Sequence, residues 1–146
     1  MFKDLLQRLL VPAPAPLDDE GARMALTALL VRIARSDSNY SEVEKDRIDR
    51  ILGTRYGLDT GGSLILREQA EAMEAEAPDT VRFTRAIKEA VAYEDRTGVI
   101  EALWQVALAD GRRDANEDAL LRLSASLLGV SDVDSAQARK RAEAAL

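Results

Sequence analysis

One pattern occurs twice in this chain and limits what it can fold into. An apolar helical stretch ends in an aspartate, a short polar break comes next, and a second helix opens on an acidic residue. The first copy reads Ala34-Arg35-Ser36-Asp37-Ser38-Asn39-Tyr40-Ser41-Glu42-Val43-Glu44. The second reads Ala107-Leu108-Ala109-Asp110-Gly111-Arg112-Arg113-Asp114-Ala115-Asn116-Glu117. Asp37 aligns with Asp110, Ser41 with Asp114 and Glu44 with Glu117; upstream, Leu30 aligns with Leu103, Ile33 with Val106 and Ala34 with Ala107. A helix–loop–helix unit used twice predicts a compact helical bundle with an internal pseudo-two-fold repeat. It also sets two acidic loops at corresponding places.

Composition agrees with an all-α domain. The 146 residues are enough for one domain with a real core. Hydrophobic residues make up 47%, with aromatics only 4%, so alanine and leucine dominate. Those are good helix formers, whereas sheets favour β-branched and aromatic residues. The net charge of −6 argues against nucleic acid as a partner, because such binding needs cationic surface. The chain has no cysteine and no histidine. That removes disulfides, thiolate sites, the commonest general base and the commonest zinc ligand. Any bound metal must be held by oxygen, which points to calcium, magnesium or manganese. The lack of cysteine fits a cytoplasmic protein. No apolar run approaches the ~20 residues of a membrane span, and Asp4, Gln7 and Arg8 interrupt any signal-peptide core.

Residues 1–11 have Phe2, Leu5, Leu6, Leu9 and Leu10 at helical spacing. Pro12, Pro14 and Pro16 then alternate with alanine and end any helix. Residues 1–16 therefore read as an amphipathic segment and tether, ahead of a helical domain over 17–146. With only Lys3 and Arg8, offset by Asp4, the segment favours packing back on the domain. Docking to a protein partner or peripherally to a membrane surface is the alternative, and a homodimer stays open.

Within the domain, Asp18, Asp19 and Glu20 open a helix that is apolar nearly all round and hence central. A second runs from about Ser41 to Leu52 with Val43, Ile48, Ile51 and Leu52 inward, and Gly53, Gly57 and Gly61-Gly62 punctuate the segment after it. A third runs from Ser63 to Ala77. A fourth begins at Pro78-Asp79 and buries Val81, Phe83, Ile87 and Val91. A fifth begins at Glu94-Asp95. A sixth spans Asp114 to Leu128 with Leu120, Leu121, Leu123, Leu127 and Leu128 as its apolar residues, and Gly129 ends it. A seventh, capped at Ser131-Asp132 or Asp134-Ser135, runs to Leu146. The charges from Glu71 to Glu76 read as a solvated face, Trp104 as core, and Tyr40 and Tyr93 as corner packing.

The acidic loops admit two readings. Ser41 to Glu44 spells a capping box, and Asp114 to Glu117 its aspartate variant. Each satisfies free backbone donors and contributes about 1 kcal/mol. Alternatively, Asp37 with Glu44 and Asp110 with Glu117 point into their loops, with Asp114 adding a ligand, and a hard cation relieves the repulsion of the gathered carboxylates. One residue can do both. The loops are not EF-hands: position 6 holds Glu42 instead of glycine, and position 12 holds Ile48 instead of a bidentate glutamate. Glu94 and Asp95 belong at the far end of the helix that leads to Asp110. No nucleophile motif or phosphate-cradling glycine loop is present, so an enzyme is not expected.

The stretch 25–56, with Leu29-Leu30-Val31-Arg32-Ile33-Ala34-Arg35-Ser36-Asp37, resembles the tellurite-resistance protein B-like (TerB-like) family. So does Glu101-Ala102-Leu103-Trp104 through Ala109-Asp110-Gly111 to Glu117-Asp118-Ala119-Leu120-Leu121. Phe83-Thr84-Arg85-Ala86-Ile87 and Glu94-Asp95-Arg96 match its small, single-domain bacterial branch. The resemblance covers about residues 22–132. It implies about seven helices with a pseudo-two-fold axis, acidic loops that bind divalent metal, and a stress or tellurite-resistance-related role. Asp37-Ser38 stands where the family has Asp-Gly, and serine fits a left-handed turn less well.

Overall fold

The computed structural model describes residues 19–109, 111 and 114–145. The amphipathic segment and tether over 1–16, Asp110, Arg112 and Arg113 lie outside the described residues. Seven helices succeed one another in chain order, with no strand among the described residues. They are α1 (Asp19–Arg35), α2 (Glu42–Tyr56), α3 (Thr60–Glu76), α4 (Val81–Ala90), α5 (Tyr93–Ala107), α6 (Ala115–Leu127) and α7 (Asp132–Ala144).

Helix α1 is the central element. Ala25, Leu26, Ala28, Leu29, Leu30, Val31, Ile33 and Ala34 are all buried, which takes in every side of the helix. A helix apolar all round must be enclosed, and α2 to α6 all touch α1. Helix α5 is the second core element, burying Val99, Ile100, Leu103, Trp104 and Val106, and α7 lies along it. Trp104 is core, as its place on the apolar stripe predicts.

The helix ends obey local chemistry. Gly57 ends α2 in the left-handed region at φ 65°, and Gly129 ends α6 at φ 73°. Ser41, Asp59, Asp114 and Ser131 each accept backbone N–H bonds as N-caps. The Asp59 cap explains one departure from the sequence expectation. Gly61 and Gly62 do not punctuate a loop; they form the first turn of α3. Asp59 Oδ1 accepts from Gly62 N at 2.7 Å, and a Cβ on Gly62 would lie 3.1 Å from that oxygen.

The buried faces correct the sequence reading in a consistent way. Val43, Val81 and Leu123, expected inside, are about half exposed. The buried stripe of α2 is Glu44, Ile48, Ile51 and Leu52. That of α6 starts Glu117, Leu121, Ser124 and Ala125. Both have the spacing i, i+4, i+7, i+8 of a helix face. In each helix the first position of the core stripe is the repeated glutamate.

Candidate metal centre

The first loop leaves α1 through a tight turn. Ser36 N donates to Ile33 O at 3.2 Å and Ser38 N to Arg35 O at 3.0 Å. Ser38 has φ 64°, the one non-glycine among the described residues with positive φ. Asn39 N then donates to Asp37 Oδ1 at 2.8 Å. Ser41 caps α2 through a complete capping box: Glu44 N donates to Ser41 Oγ at 3.2 Å, and Ser41 N donates to Glu44 Oε1 at 2.9 Å.

At its described residues the second loop makes the same two turn bonds. Ala109 N donates to Val106 O at 3.2 Å and Gly111 N to Leu108 O at 3.1 Å. These residues align with Ser36, Ile33, Ser38 and Arg35. Gly111 has φ 75° where Ser38 has 64°. Asp114 caps α6, its Oδ1 accepting from Asn116 N at 2.8 Å and Glu117 N at 3.3 Å. The helices open alike too, with Lys45 N donating to Ser41 O and Asp118 N to Asp114 O, each at 3.0 Å.

The two loops meet. One carboxylate oxygen each from Asp37, Glu44 and Glu117 lies within 4.8 Å of the other two. Asp37 is partly exposed, while Glu44 and Glu117 are 0% and 1% exposed. Three of the five expected ligands are therefore together. Asp114 lies outside this trio and serves as a helix cap, while Asp110 is not among the described residues. Glu94 and Asp95 stand apart as expected, in the first turn of α5, where with Arg55 and Arg141 they line an open cleft of about 770 Å³.

Burial of the two glutamates results from their stripe positions, because packing the apolar residues below them carries both acids inward. Two ionised carboxylates this close repel by about 3 kcal/mol at an effective dielectric of ~20. A proton, a cationic side chain or a metal ion offsets that repulsion. The donor set suits a hard metal, since it offers oxygen only. Oxygens on opposite sides of a calcium ion are about 4.6–5.2 Å apart, and three oxygens all within 4.8 Å of one another can share one such hard cation.

A buried ionic network flanks the first loop, and the sequence reading missed it. Glu71 and Glu74, expected on a solvated face, point inward on α3 together with Arg67. Glu74 receives Arg32 Nε at 3.0 Å and Arg35 Nη1 at 2.7 Å. Arg32 also donates to the carbonyls of Glu74 and Ala77 at the end of α3. Arg67 binds Asp49 of α2 through Nε at 2.6 Å and Nη2 at 3.3 Å, and Glu71 Oε2 at 2.8 Å. The Tyr40 hydroxyl donates to the same Glu71 oxygen at 2.5 Å.

These contacts set the titration of their members. Burial, reinforced by the adjacent Glu71 carboxylate, pushes the Tyr40 hydroxyl well above the usual tyrosine range. Burial alone would raise Glu71, but hydrogen bonds from Tyr40 and Arg67 and the charges of Arg67 and Arg35 hold it below its ordinary value. Burial likewise works against the Arg67 charge, and its bonds to Asp49, Tyr40 and Glu71 outweigh that. A spacing signal was legible for part of this: Ser63, Leu66, Arg67, Ala70 and Glu74 form one i, i+3, i+4, i+7, i+11 face.

No helix among the described residues is long and apolar enough to cross a membrane. No curated protein and no solved structure matches the chain. A family description does: tellurite resistance protein TerB matches residues 23–140, taking in both loops and all seven helices in whole or part. With most of its length matched, this all-α chain belongs to the TerB family of tellurite resistance proteins.

Proposed function

We propose that the protein binds a divalent cation that prefers oxygen ligands (calcium, magnesium or manganese) through Asp37, Glu44 and Glu117, in a stress or tellurite-resistance-related role. The observation that carries this reading is the meeting, within 4.8 Å, of carboxylates from the first loop and from the first turns of α2 and α6, two of them fully enclosed. The ion joins the first loop and the start of α2 to the start of α6, so binding is read out as stability of the whole bundle. In this reading the protein is a cytoplasmic binding protein, not a catalyst.

The test is thermal unfolding of chelator-stripped protein with calcium, magnesium or manganese added back in a concentration series. The expected result is a saturable, ion-selective rise in Tm, equivalent to about 2.7 kcal/mol at 100 times the Kd. Glu117→Gln, which keeps the side-chain shape, is expected to abolish the rise. A small equal rise with every ion, or an unchanged response in Glu117→Gln, overturns the reading. The second reading, a metal-independent interaction module, would then stand, favoured by the fact that helix caps already account for Ser41, Glu44 and Asp114.

A further inference from the structure

We infer that Tyr40 is a positioning residue for the first half of this cation site, holding the Asp37 loop through a relay of Glu71, Arg67 and Asp49. The inference rests on the cation reading above and goes beyond it, since Tyr40 is no ligand. Tyr40 sits three residues after Asp37 and immediately before the N-cap Ser41. Its hydroxyl donates to Glu71 Oε2 on α3. That same oxygen accepts from Arg67, whose other nitrogens hold Asp49 on α2. Helix α2 is also the helix whose first turn carries Glu44. The relay thus runs from the loop to α3 and back to α2, and fixes Asp37 relative to Glu44 without touching either.

The aromatic ring is clasped as well. The Arg35 guanidinium lies 5.2 Å and the Lys45 ammonium 4.9 Å from its centroid. Arg35, two residues before Asp37, is itself anchored on Glu74 at 2.7 Å. The loop is therefore pinned to α3 on both sides of its ligand, by Arg35 before and Tyr40 after. Groups bonded directly to metal ligands change metal affinity by about 10–100-fold when removed, and a group that acts one step further out, as Tyr40 does, belongs at the lower end of that range. The sequence carries no second tyrosine for such a relay: the residue aligned with Tyr40 in the second copy is Arg113.

The experiment is calorimetric titration of the chelator-stripped full chain with calcium, and in parallel manganese, beside the Tm in chelator. Tyr40→Phe removes only the hydroxyl and is expected to weaken the Kd about tenfold. Glu71→Gln keeps an oxygen able to accept from both Tyr40 and Arg67, and is expected to stay near the wild-type Kd. Tyr93→Phe is the matched control. It loses a comparable hydroxyl bond, 2.7 Å to Asp134 Oδ2, at a corner between α5 and α7, and should leave the Kd unchanged. A Tyr40→Phe Kd within twofold of wild type overturns the inference, whatever its Tm. So does a Kd in Glu71→Gln as weak as that in Tyr40→Phe, since charge and not the held hydroxyl would then be the cause. Absence of any binding by the wild type instead overturns the cation reading itself, and this inference with it.

Discussion

At their described residues the two acidic loops make the same turn with different residues. Both close the preceding helix with the same pair of backbone hydrogen bonds, place a positive-φ residue next, and cap the following helix so that its first core position is a buried glutamate. The second loop achieves the turn with Gly111, which enters the left-handed region at little steric cost. The first uses Ser38, which does not, and it is surrounded by ion pairs and by Tyr40. The difference teaches that a strained residue can persist where its neighbourhood over-determines the fold. Around the first loop that neighbourhood is the face of α3, with Arg67, Glu71 and Glu74.

The sharpest way to break this asymmetry is to remove the centre of the network. Arg67→Ala leaves Asp49 and Glu71 facing each other without their shared cation, each with only about a fifth to a quarter of its side chain exposed. Losing one partner of a buried pair costs roughly 3–5 kcal/mol, and the residual exposure puts this case near 3. Chemical denaturation under chelation is expected to show that loss with an unchanged m-value. A loss below 1 kcal/mol would mean that the network adds little to the first loop's rigidity.

A smaller effect is expected from acid. Because the folded Glu71 carboxyl lies below its ordinary value, its contribution to stability is fully present above the unfolded pKa. It is lost as pH falls through the folded pKa, so the window lies below about pH 4.5. Tyr40 has the opposite sign: its raised pKa contributes below the unfolded value near 10, and that part is lost as pH rises further. Stability against pH for wild type and Glu71→Gln checks the acid side. The two curves are expected to converge as pH falls through the Glu71 titration, and parallel curves throughout would remove Glu71 from the account.

The fold was legible because helix periodicity and turn chemistry are local. The caps at Ser41 and Asp114, the stop at Gly129 and the enclosed course of α1 can all be read from short windows of sequence. The site was half legible. Repetition singled out Asp37, Glu44 and Glu117, but burial of the two glutamates required counting them into the core stripe, where a polar residue is normally discounted. Val43 looked the better core residue because it is apolar, yet it lies one position off the stripe and is 51% exposed. The ionic network was legible only in the spacing that puts Arg67 and Glu74 on the core face of α3, since charges on a helix look alike whether they face water or an arginine on α1. Only tertiary packing, which sets α3 against α1 and α2, separates Glu71 and Glu74 from the exposed Glu68 and Glu76 of the same helix.

The finest test exchanges the turn residues themselves. Ser38→Gly removes the steric cost of a left-handed backbone, about 1–2 kcal/mol. It also frees the unfolded chain, at about 0.4–1 kcal/mol. The balance is a gain of about 0.5 kcal/mol. Gly111→Ala runs the other way. A Cβ there meets nothing within 4 Å, so the cost is backbone alone and the net loss is of similar size. Measured under chelation from denaturation midpoints, the two substitutions are expected to have opposite signs. If Ser38→Gly instead destabilises the protein, the serine side chain itself holds the loop, and the strain assigned to that residue is offset by a contact of its own hydroxyl and not by the network around Tyr40.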